Sequence, residues 1–198
     1  FGGVNAFPIC LDTQDTEEII KTVVNIAPAF GGINLEDISA PRCFEIETRL
    51  KELLDIPVFH DDQHGTAIVV LSGIINALKV VNKEKEDCKV IVNGAGSAGI
   101  AITKLLLRYG FKDVTLCDKS GILSKNSKDL NWMQKEMMEV TNLSGKEGSL
   151  ADAFVDADIF VGVSAPGIVT EEMVASMNRD GILFAMANPV PEIMPDLA

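Results

Sequence analysis

The sequence predicts an α/β fold with a doubly wound parallel sheet. Strand-like and helix-like segments alternate along the 198 residues, and no internal repeat interrupts them. In the second half the strand-like segments are continuous runs rich in Val, Ile and Phe, which is typical of strands buried on both faces. Burial on both faces requires helices on both sides of the sheet, and that arrangement defines the doubly wound class.

The first half of the chain predicts a smaller set of strands and helices. Thr16 is expected to cap the first helix, because Glu17 and Glu18 follow in the first turn, where the helix dipole favours acidic residues. Pro28 ends that helix. We predict, in order, an apolar run at 4–10, a helix at 16–26, a strand at 33–38, a helix at 41–54, a strand at 56–59 and a helix at 64–81.

The helix at 64–81 is apolar on nearly all sides, so we expect it to be buried between layers. Its apolar part contains Ser72, Asn76 and Lys79, and we expect it to be too short and too polar to span a membrane. A charged loop at 82–87 follows, and we place a domain boundary there, which divides the chain into residues 1–82 and 83–198.

The second half repeats a strand–helix unit. Strands are predicted at 89–93, 114–117, 159–163 and 182–187, and helices at 98–109, 128–141, 150–155 and 171–177. Met133, Met137 and Met138 have helical spacing, which favours core packing over a cofactor-contacting patch.

Composition and charge exclude several classes of partner. Apolar residues make up 47% of the chain, enough for a core, and 17 basic against 29 acidic residues give a net charge of −12. Nucleic acids and anionic membranes attract basic surfaces, so we expect neither as a partner. The cysteines form no CxxC pair and no secretory leader is visible, so reduced thiols and a cytoplasmic location are expected.

A glycine-rich turn separates the strand at 89–93 from the helix that follows it. Gly94 permits a tight turn, Gly96 lets the backbone approach a pyrophosphate, and Gly99 allows close helix–strand packing. The pyrophosphate would then meet free N–H groups at the helix N-terminus. The predicted cofactor contacts in this turn are Gly94, Ala95, Gly96, Ser97, Ala98 and Gly99.

An acidic residue completes this pattern and predicts a Rossmann-type dinucleotide site. Asp118 ends the next strand, where its carboxylate can accept hydrogen bonds from the adenosine ribose. A carboxylate there repels the 2′-phosphate of NADP and favours NAD, although the adjacent Lys119 keeps NADP possible. The alternative is a glycine-rich turn in an ordinary strand–helix unit, which does not account for the acid.

Two further loops follow strands at the edge where such a sheet binds its ligand. Ser164 and Ala165 follow the third strand, and their small side chains would let a nicotinamide ribose lie close. Asn188 follows the fourth strand, and its amide can both donate and accept hydrogen bonds. A plain turn containing Pro or Gly is the alternative for each loop. Thr66, near the start of the helix predicted at 64–81, is also assigned to the cofactor site.

Paired acids end both strands of the first half. Glu36 and Asp37 follow one strand, and Asp61 and Asp62 follow the other. If the strands are neighbours, these carboxylates crowd one edge of a cleft, where like charges need a proton or a cation. Oxygen ligands with no thiolates favour Mg²⁺ or Mn²⁺. The alternative is a pair of solvated acidic turns.

The two sites together indicate a reaction. A nicotinamide takes a hydride from an alcohol carbon, and a divalent metal can chelate a 2-hydroxy acid and polarise the ketone that forms. If a second carboxylate lies β to that ketone, CO₂ leaves. The combination indicates metal-assisted oxidative decarboxylation.

Several segments, taken in order, resemble malic enzyme, most closely its shorter bacterial-type form. The matching segments are residues 1–8, 34–38, 60–67, 94–99 and 187–189. The resemblance implies conversion of L-malate to pyruvate and CO₂ with NAD or NADP and with Mg²⁺ or Mn²⁺, in an oligomer usually built on dimers. It implies that Glu36, Asp37 and Asp62 are metal ligands, that Asp61 supports them, and that Asn188 contacts malate and nicotinamide.

The resemblance also sets limits. It assigns residues 1–82 to the C-terminal part of a metal- and substrate-binding domain, and residues 83–198 to a dinucleotide-binding domain truncated at its C-terminus. The family's general acid Tyr and general base Lys lie upstream of the segment that matches Phe1, and Tyr109 matches no catalytic motif. We therefore expect the isolated chain to be inactive or very weak. A non-catalytic dinucleotide-binding or regulatory module and a metal-free dehydrogenase are the alternatives.

Overall fold

The structure, a computed structural model, describes residues 2–198. Its order is α1 (Thr16–Ile26), β1 (Ile33–Leu35), α2 (Arg42–Leu53), β2 (Val58–His60), α3 (Thr66–Val81), β3 (Lys89–Asn93), α4 (Ser97–Tyr109), β4 (Asp113–Asp118), β5 (Gly121–Ile122), α5 (Trp132–Met137), α6 (Leu150–Phe154), β6 (Ile159–Gly162), α7 (Glu171–Ala175) and β7 (Ile182–Ala185). A π-helical turn, Asp61–Gly65, leads into α3.

The larger sheet has the order β5-β4-β3-β6-β7. Its pairs are parallel except for the short edge strand β5, which runs antiparallel to β4. The strand order reverses between β3 and β6, which creates a switch point where the carboxyl ends of the two strands open a crevice. The predicted doubly wound α/β class is therefore confirmed.

Side chains of β3 alternate between two apolar cores on opposite faces of this sheet. Val90 and Val92 share one core with buried residues of α3, α4 and α5. Ile91 points the other way and shares the second core with Phe154 of α6 and Phe160 of β6, whose rings lie 4.7 Å apart. Helices thus cover both faces, as the continuous apolar strands predict.

The first half contributes the two-stranded parallel sheet β1–β2 and a third core between it and α1 and α2. Leu35 of β1, Ile20 of α1 and Leu50 of α2 are buried in that core. At the surface, Arg49 of α2 pairs with Glu17 of α1 and so links the two helices.

Several predicted boundaries were wrong. Asp15, not Thr16, caps α1, because its side chain accepts the Glu18 N–H. The helix predicted at 128–141 is only Trp132–Met137, because a capping box between Asn131 and Gln134 sets its start. The apolar run at 4–10 has no regular secondary structure, and the two-residue strand β5 was not predicted.

The predicted burial of α3 was also wrong. Its buried residues lie on one face, whereas Ile68, Val69 and Val80 are 56%, 67% and 85% exposed. An all-round apolar sequence does not say how many faces are covered. Of the described residues, the helical segment Asp61–Val81 is long and apolar enough, by length and composition alone, to cross a membrane. It was expected to be too short and too polar, but the π-helical turn extends it to 21 residues.

Each of the cysteines is a free thiol. Burial raises the pKa of Cys43 and Cys88 to about 11 and the pKa of Cys117 to about 12. These thiols stay protonated near neutral pH and pack as small apolar side chains, while Cys10 is exposed. Met133, Met137 and Met138 are buried in the core, as their spacing predicts.

Candidate functional site

The loop between β3 and α4 makes the tight turn that its glycines predict. Gly94 has a φ of +116°, and a Cβ at this position would lie 2.5 Å from the Val163 carbonyl oxygen. Its N–H donates to the Cys117 carbonyl across the sheet at 2.9 Å. No L side chain fits this position, so the chain turns here only because the residue is glycine.

Gly99 and Gly96 have different surroundings, which matches the separate roles predicted for them in packing and in ligand approach. A Cβ at Gly99 would lie 1.8 Å from the Gly94 carbonyl oxygen, so α4 packs directly on the loop. A Cβ at Gly96 would meet no atom within 4 Å. The backbone at Gly96 therefore faces open space at the N-terminus of α4, where a ligand can approach it closely.

That open space belongs to a cavity of about 600 Å³ at the carboxyl ends of β3, β4 and β6. A volume of this size fits a small-molecule or cofactor site. The cavity brings together six predicted cofactor residues from three separate segments. Its lining residues are Asn93, Gly94, Ala95, Gly96, Asp118, Lys119, Ser120, Gly121, Ser149, Leu150, Ser164, Ala165 and Ile168.

The other predicted cofactor residues do not line this cavity. Ser97, Ala98 and Gly99 form the first turn of α4 behind the loop. Thr66 begins α3, and its N–H bonds to the Asp61 and Gln63 carbonyls. Asn188 is exposed in the loop after β7.

Asp118 stands at the edge of the cavity with its carboxylate fixed. It is half-buried, and its Oδ1 accepts the Ser120 N–H at 2.8 Å, while Lys119 between them is exposed. Ser120 was not predicted, although an Asp side chain commonly accepts the backbone N–H of the residue two positions later. Ser149 was also missed; its signal is the capping box with Asp152 that starts α6.

Helix α5 supports the glycine-rich loop from behind. The Gln134 side chain donates from Nε2 to the Ala95 carbonyl at 3.0 Å, and its Oε1 accepts the Asn131 N–H. Gln134 is therefore held by the helix cap while it holds the loop. No sequence signal connects these residues, because the loop and the helix lie far apart along the chain.

The two strands that end in paired acids are neighbours, as predicted. β1 and β2 pair in parallel with Leu35 opposite His60, so Glu36 and Asp61 leave adjacent strands at the same edge. The Asn34 side chain donates to Glu36 Oε1 at 3.0 Å. Asp61 folds over the π-helical turn, where a Cβ at Gly65 would lie 2.2 Å from its Oδ1.

These acids are not gathered into a ligand set. Within residues 2–198, no three Asp, Glu, His or Cys side chains are grouped so that they could hold a metal ion. Glu36, Asp37 and Asp61 are exposed and Asp62 is half-buried. Carboxylate oxygens are suitable ligands for a hard cation, but these side chains are not placed together as a metal site requires. Metal binding by Glu36, Asp37 and Asp62 stays a prediction.

The parallel sheet with its switch point, the glycine-rich loop and the acid after the next strand define a Rossmann-type dinucleotide-binding fold. Comparison with known families agrees. The family model "Malic enzyme, NAD binding domain" matches residues 63–194, and "Malic enzyme, N-terminal domain" matches residues 1–51. The chain belongs to the malic enzyme family, which confirms the resemblance seen in the sequence.

Similar proteins are longer than this chain. It is 61% identical over 198 residues to the NAD-dependent malic enzyme of Geobacillus stearothermophilus, covering all of this chain and 41% of that protein. It is 55% identical over 197 residues to the bifunctional malic/malolactic enzyme of Bacillus subtilis, covering 99% of this chain and 48% of that protein. A solved structure of the NAD-dependent malic enzyme of Thermotoga maritima has a TM-score of 0.97 at 49% identity, covering all of this chain and 53% of that one.

Proposed function

We propose that this chain serves the oxidative decarboxylation of L-malate to pyruvate and CO₂, with reduction of NAD or NADP. The observation that carries the proposal is the cavity over Gly96, which has the glycine-rich loop on one side and Asp118 on the other. Relatives named NAD-dependent and NADP-dependent malic enzymes support the choice of reaction.

In this proposal the residues of the chain bind and orient the dinucleotide. The N–H groups of the loop and of the first turn of α4 hold the pyrophosphate. Asp118 accepts hydrogen bonds from the adenosine ribose, and Ser164 and Ala165 lie beside the nicotinamide ribose. The cofactor, when bound, supplies the hydride acceptor. Asn188 would contact malate from the loop after β7.

We also propose that Mg²⁺ or Mn²⁺ binds at the carboxyl ends of β1 and β2. The support is the parallel register of these strands, which places Glu36 and Asp61 at the same edge, together with the carboxylate oxygens that these acids offer to a hard cation. Asp37 and Asp62 would complete the ligands, with Asp61 behind them. Since the side chains are not grouped, cation binding requires them to move together.

Titration and turnover test the proposal together. We expect saturable NADH binding by fluorescence, but little or no malate-dependent NADH formation, because loss of general acid–base catalysis alone costs about 10²- to 10⁴-fold in rate. Tyr109 lies against Lys85 at the end of α4 and does not line the cavity. Absence of nucleotide binding contradicts the proposal, and rapid turnover would show that the catalytic groups are misassigned.

Assembly and location are further proposals. We propose a homodimer or a higher homo-oligomer in the cytoplasm. The exposed Ile68, Val69 and Val80 on α3 offer an apolar surface that association would cover. Sedimentation velocity measures the oligomeric state, and a monomer at all concentrations would contradict the proposed homo-oligomer.

A further inference from the structure

Glu192 is a completely buried carboxylate that the proposed reaction does not use. It follows β7 by a short loop, yet its side chain lies beneath the end of β6. A Cβ at Gly162, the last residue of β6, would lie 2.4 Å from the Glu192 carboxyl carbon. The glycine therefore makes room for the acid, and the two residues form one packed unit.

The carboxylate of Glu192 joins the two loops that follow β6 and β7. Oε1 accepts the Ser164 N–H at 2.9 Å and the Ser164 hydroxyl at 3.2 Å. Oε2 accepts the Ala187 N–H at 3.0 Å, from the residue just before Asn188. Both oxygens are thus used, and each holds a different loop.

The hydrogen-bond directions also set what Ser164 offers to a ligand. Asn93 Nδ2, at the end of β3, donates to the Ser164 hydroxyl oxygen at 2.8 Å. The hydroxyl proton goes to Glu192, so the oxygen keeps one lone pair free. Since Ser164 lines the cavity, its oxygen is an acceptor suited to a ligand hydroxyl or amide N–H.

We propose that Glu192 is a positioning residue for the nicotinamide half of the dinucleotide. The inference rests on the proposed function, which places the adenosine ribose at Asp118 on β4. With the pyrophosphate at the loop after β3, the other half extends across the switch point toward the ends of β6 and β7. Those are the two loops that Glu192 fixes, while Asp118 lies on the opposite side and does not depend on it.

The test compares NADH with ADP, which carries the adenosine and diphosphate but lacks the nicotinamide. In Glu192→Gln the amide N–H group faces a backbone N–H, so one loop loses its acceptor. We expect the Kd for NADH to rise about tenfold, equivalent to about 1.4 kcal/mol, and the Kd for ADP to stay unchanged. The matched control is Glu171→Gln on the exposed first turn of α7, which should alter neither constant.

The possible outcomes separate this inference from the proposed function. If the unmodified chain binds neither NADH nor ADP, the proposed function itself fails. If the unmodified chain binds both and Glu192→Gln weakens both equally or neither, the positioning role is wrong. Should the variant not fold, amide resonances of the unmodified chain decide the matter. Ser164 and Ala187 should shift with NADH and not with ADP, and equal responses to the two ligands would overturn the inference.

Discussion

Asp118 is the single residue that should decide which dinucleotide the cavity prefers. Its carboxylate is held at the cavity edge by the Ser120 N–H, and Lys119 beside it is exposed. A fixed negative charge accepts hydrogen bonds from a ribose but repels a 2′-phosphate, and juxtaposed like charges cost several kcal/mol. We therefore predict a preference for NAD.

Replacing Asp118 by Ser should reverse that preference. We expect NADPH affinity to rise by at least about tenfold once the repulsion is removed, and NADH affinity to fall about fivefold with the lost acceptor, about 1 kcal/mol. Fluorescence titration with both nucleotides measures the change. Lys119→Ala is the control, and it should weaken NADPH only. An unchanged preference in Asp118→Ser would mean that the carboxylate does not face the ribose.

Asp62 offers a test of the metal proposal. Asp62→Asn should weaken Mn²⁺ binding by about tenfold or more. Even substitution of a residue that only supports a metal ligand lowers metal affinity by about 10- to 100-fold. Free Mn²⁺ can be followed by electron paramagnetic resonance during titration. Asp55→Asn makes the same charge change at an exposed residue outside the acid pairs and should have no effect. Equal binding by both variants would place the cation elsewhere.

Among the elements, β3, the glycine-rich loop and α4 form one unit. Within it, one glycine serves the packing of the fold and another serves ligand binding. Gly99→Ala should lower the free energy of unfolding by about 1–3 kcal/mol, because its Cβ would lie 1.8 Å from the Gly94 oxygen. Gly96→Ala should lower stability less than Gly99→Ala, because its Cβ meets nothing within 4 Å and only the poorer capping by Ala opposes it, yet it should weaken NADH binding.

Thermal melts and NADH titration on the same two variants separate these roles. We expect the larger fall in melting temperature in Gly99→Ala and the fall in NADH affinity in Gly96→Ala. A Gly96→Ala chain that binds NADH normally would show that the pyrophosphate does not approach this loop.

The same unit shows which elements a sequence can predict. β3 was predicted at 89–93 and lies there, and α4 begins at Ser97, one residue before its predicted start, because glycines mark the turn between them. The exposed side of α3 was not predictable, since composition does not reveal how many faces are covered. Ser149 and Ile168 line the cavity through tertiary packing, with no motif that joins them to Gly94.

At the level of the whole molecule, a partly buried ion pair connects distant segments. Lys83, in the link between α3 and β3, donates to Asp158 Oδ1 at 2.8 Å, just before β6. Burial alone would raise the pKa of Asp158, but hydrogen bonds from Lys83, the Lys89 N–H and Asn178 outweigh it and lower the pKa. A depressed folded-state pKa adds stability above the unfolded value of about 3.9.

The free energy of unfolding should therefore fall as the pH drops below about 4, through the folded-state pKa of Asp158. Asp158→Asn should cost about 1.5–3 kcal/mol at pH 7, because it removes the charged acceptor of a mostly buried pair. It should also reduce the acid-side slope. Urea unfolding between pH 3 and 7 measures both, with the exposed Asp87→Asn as control. Parallel curves for wild type and Asp158→Asn would contradict this role.

A crystal structure of the chain with NADH would show directly whether the dinucleotide occupies the cavity over Gly96. We expect the pyrophosphate to lie against the backbone N–H groups of Ala95, Gly96 and Ser97, with the adenosine ribose hydroxyls on Asp118 and the nicotinamide half beside Ser164. A saturated complex with the nucleotide bound elsewhere, or with the glycine-rich loop free of it, would show that this cavity is not the dinucleotide site.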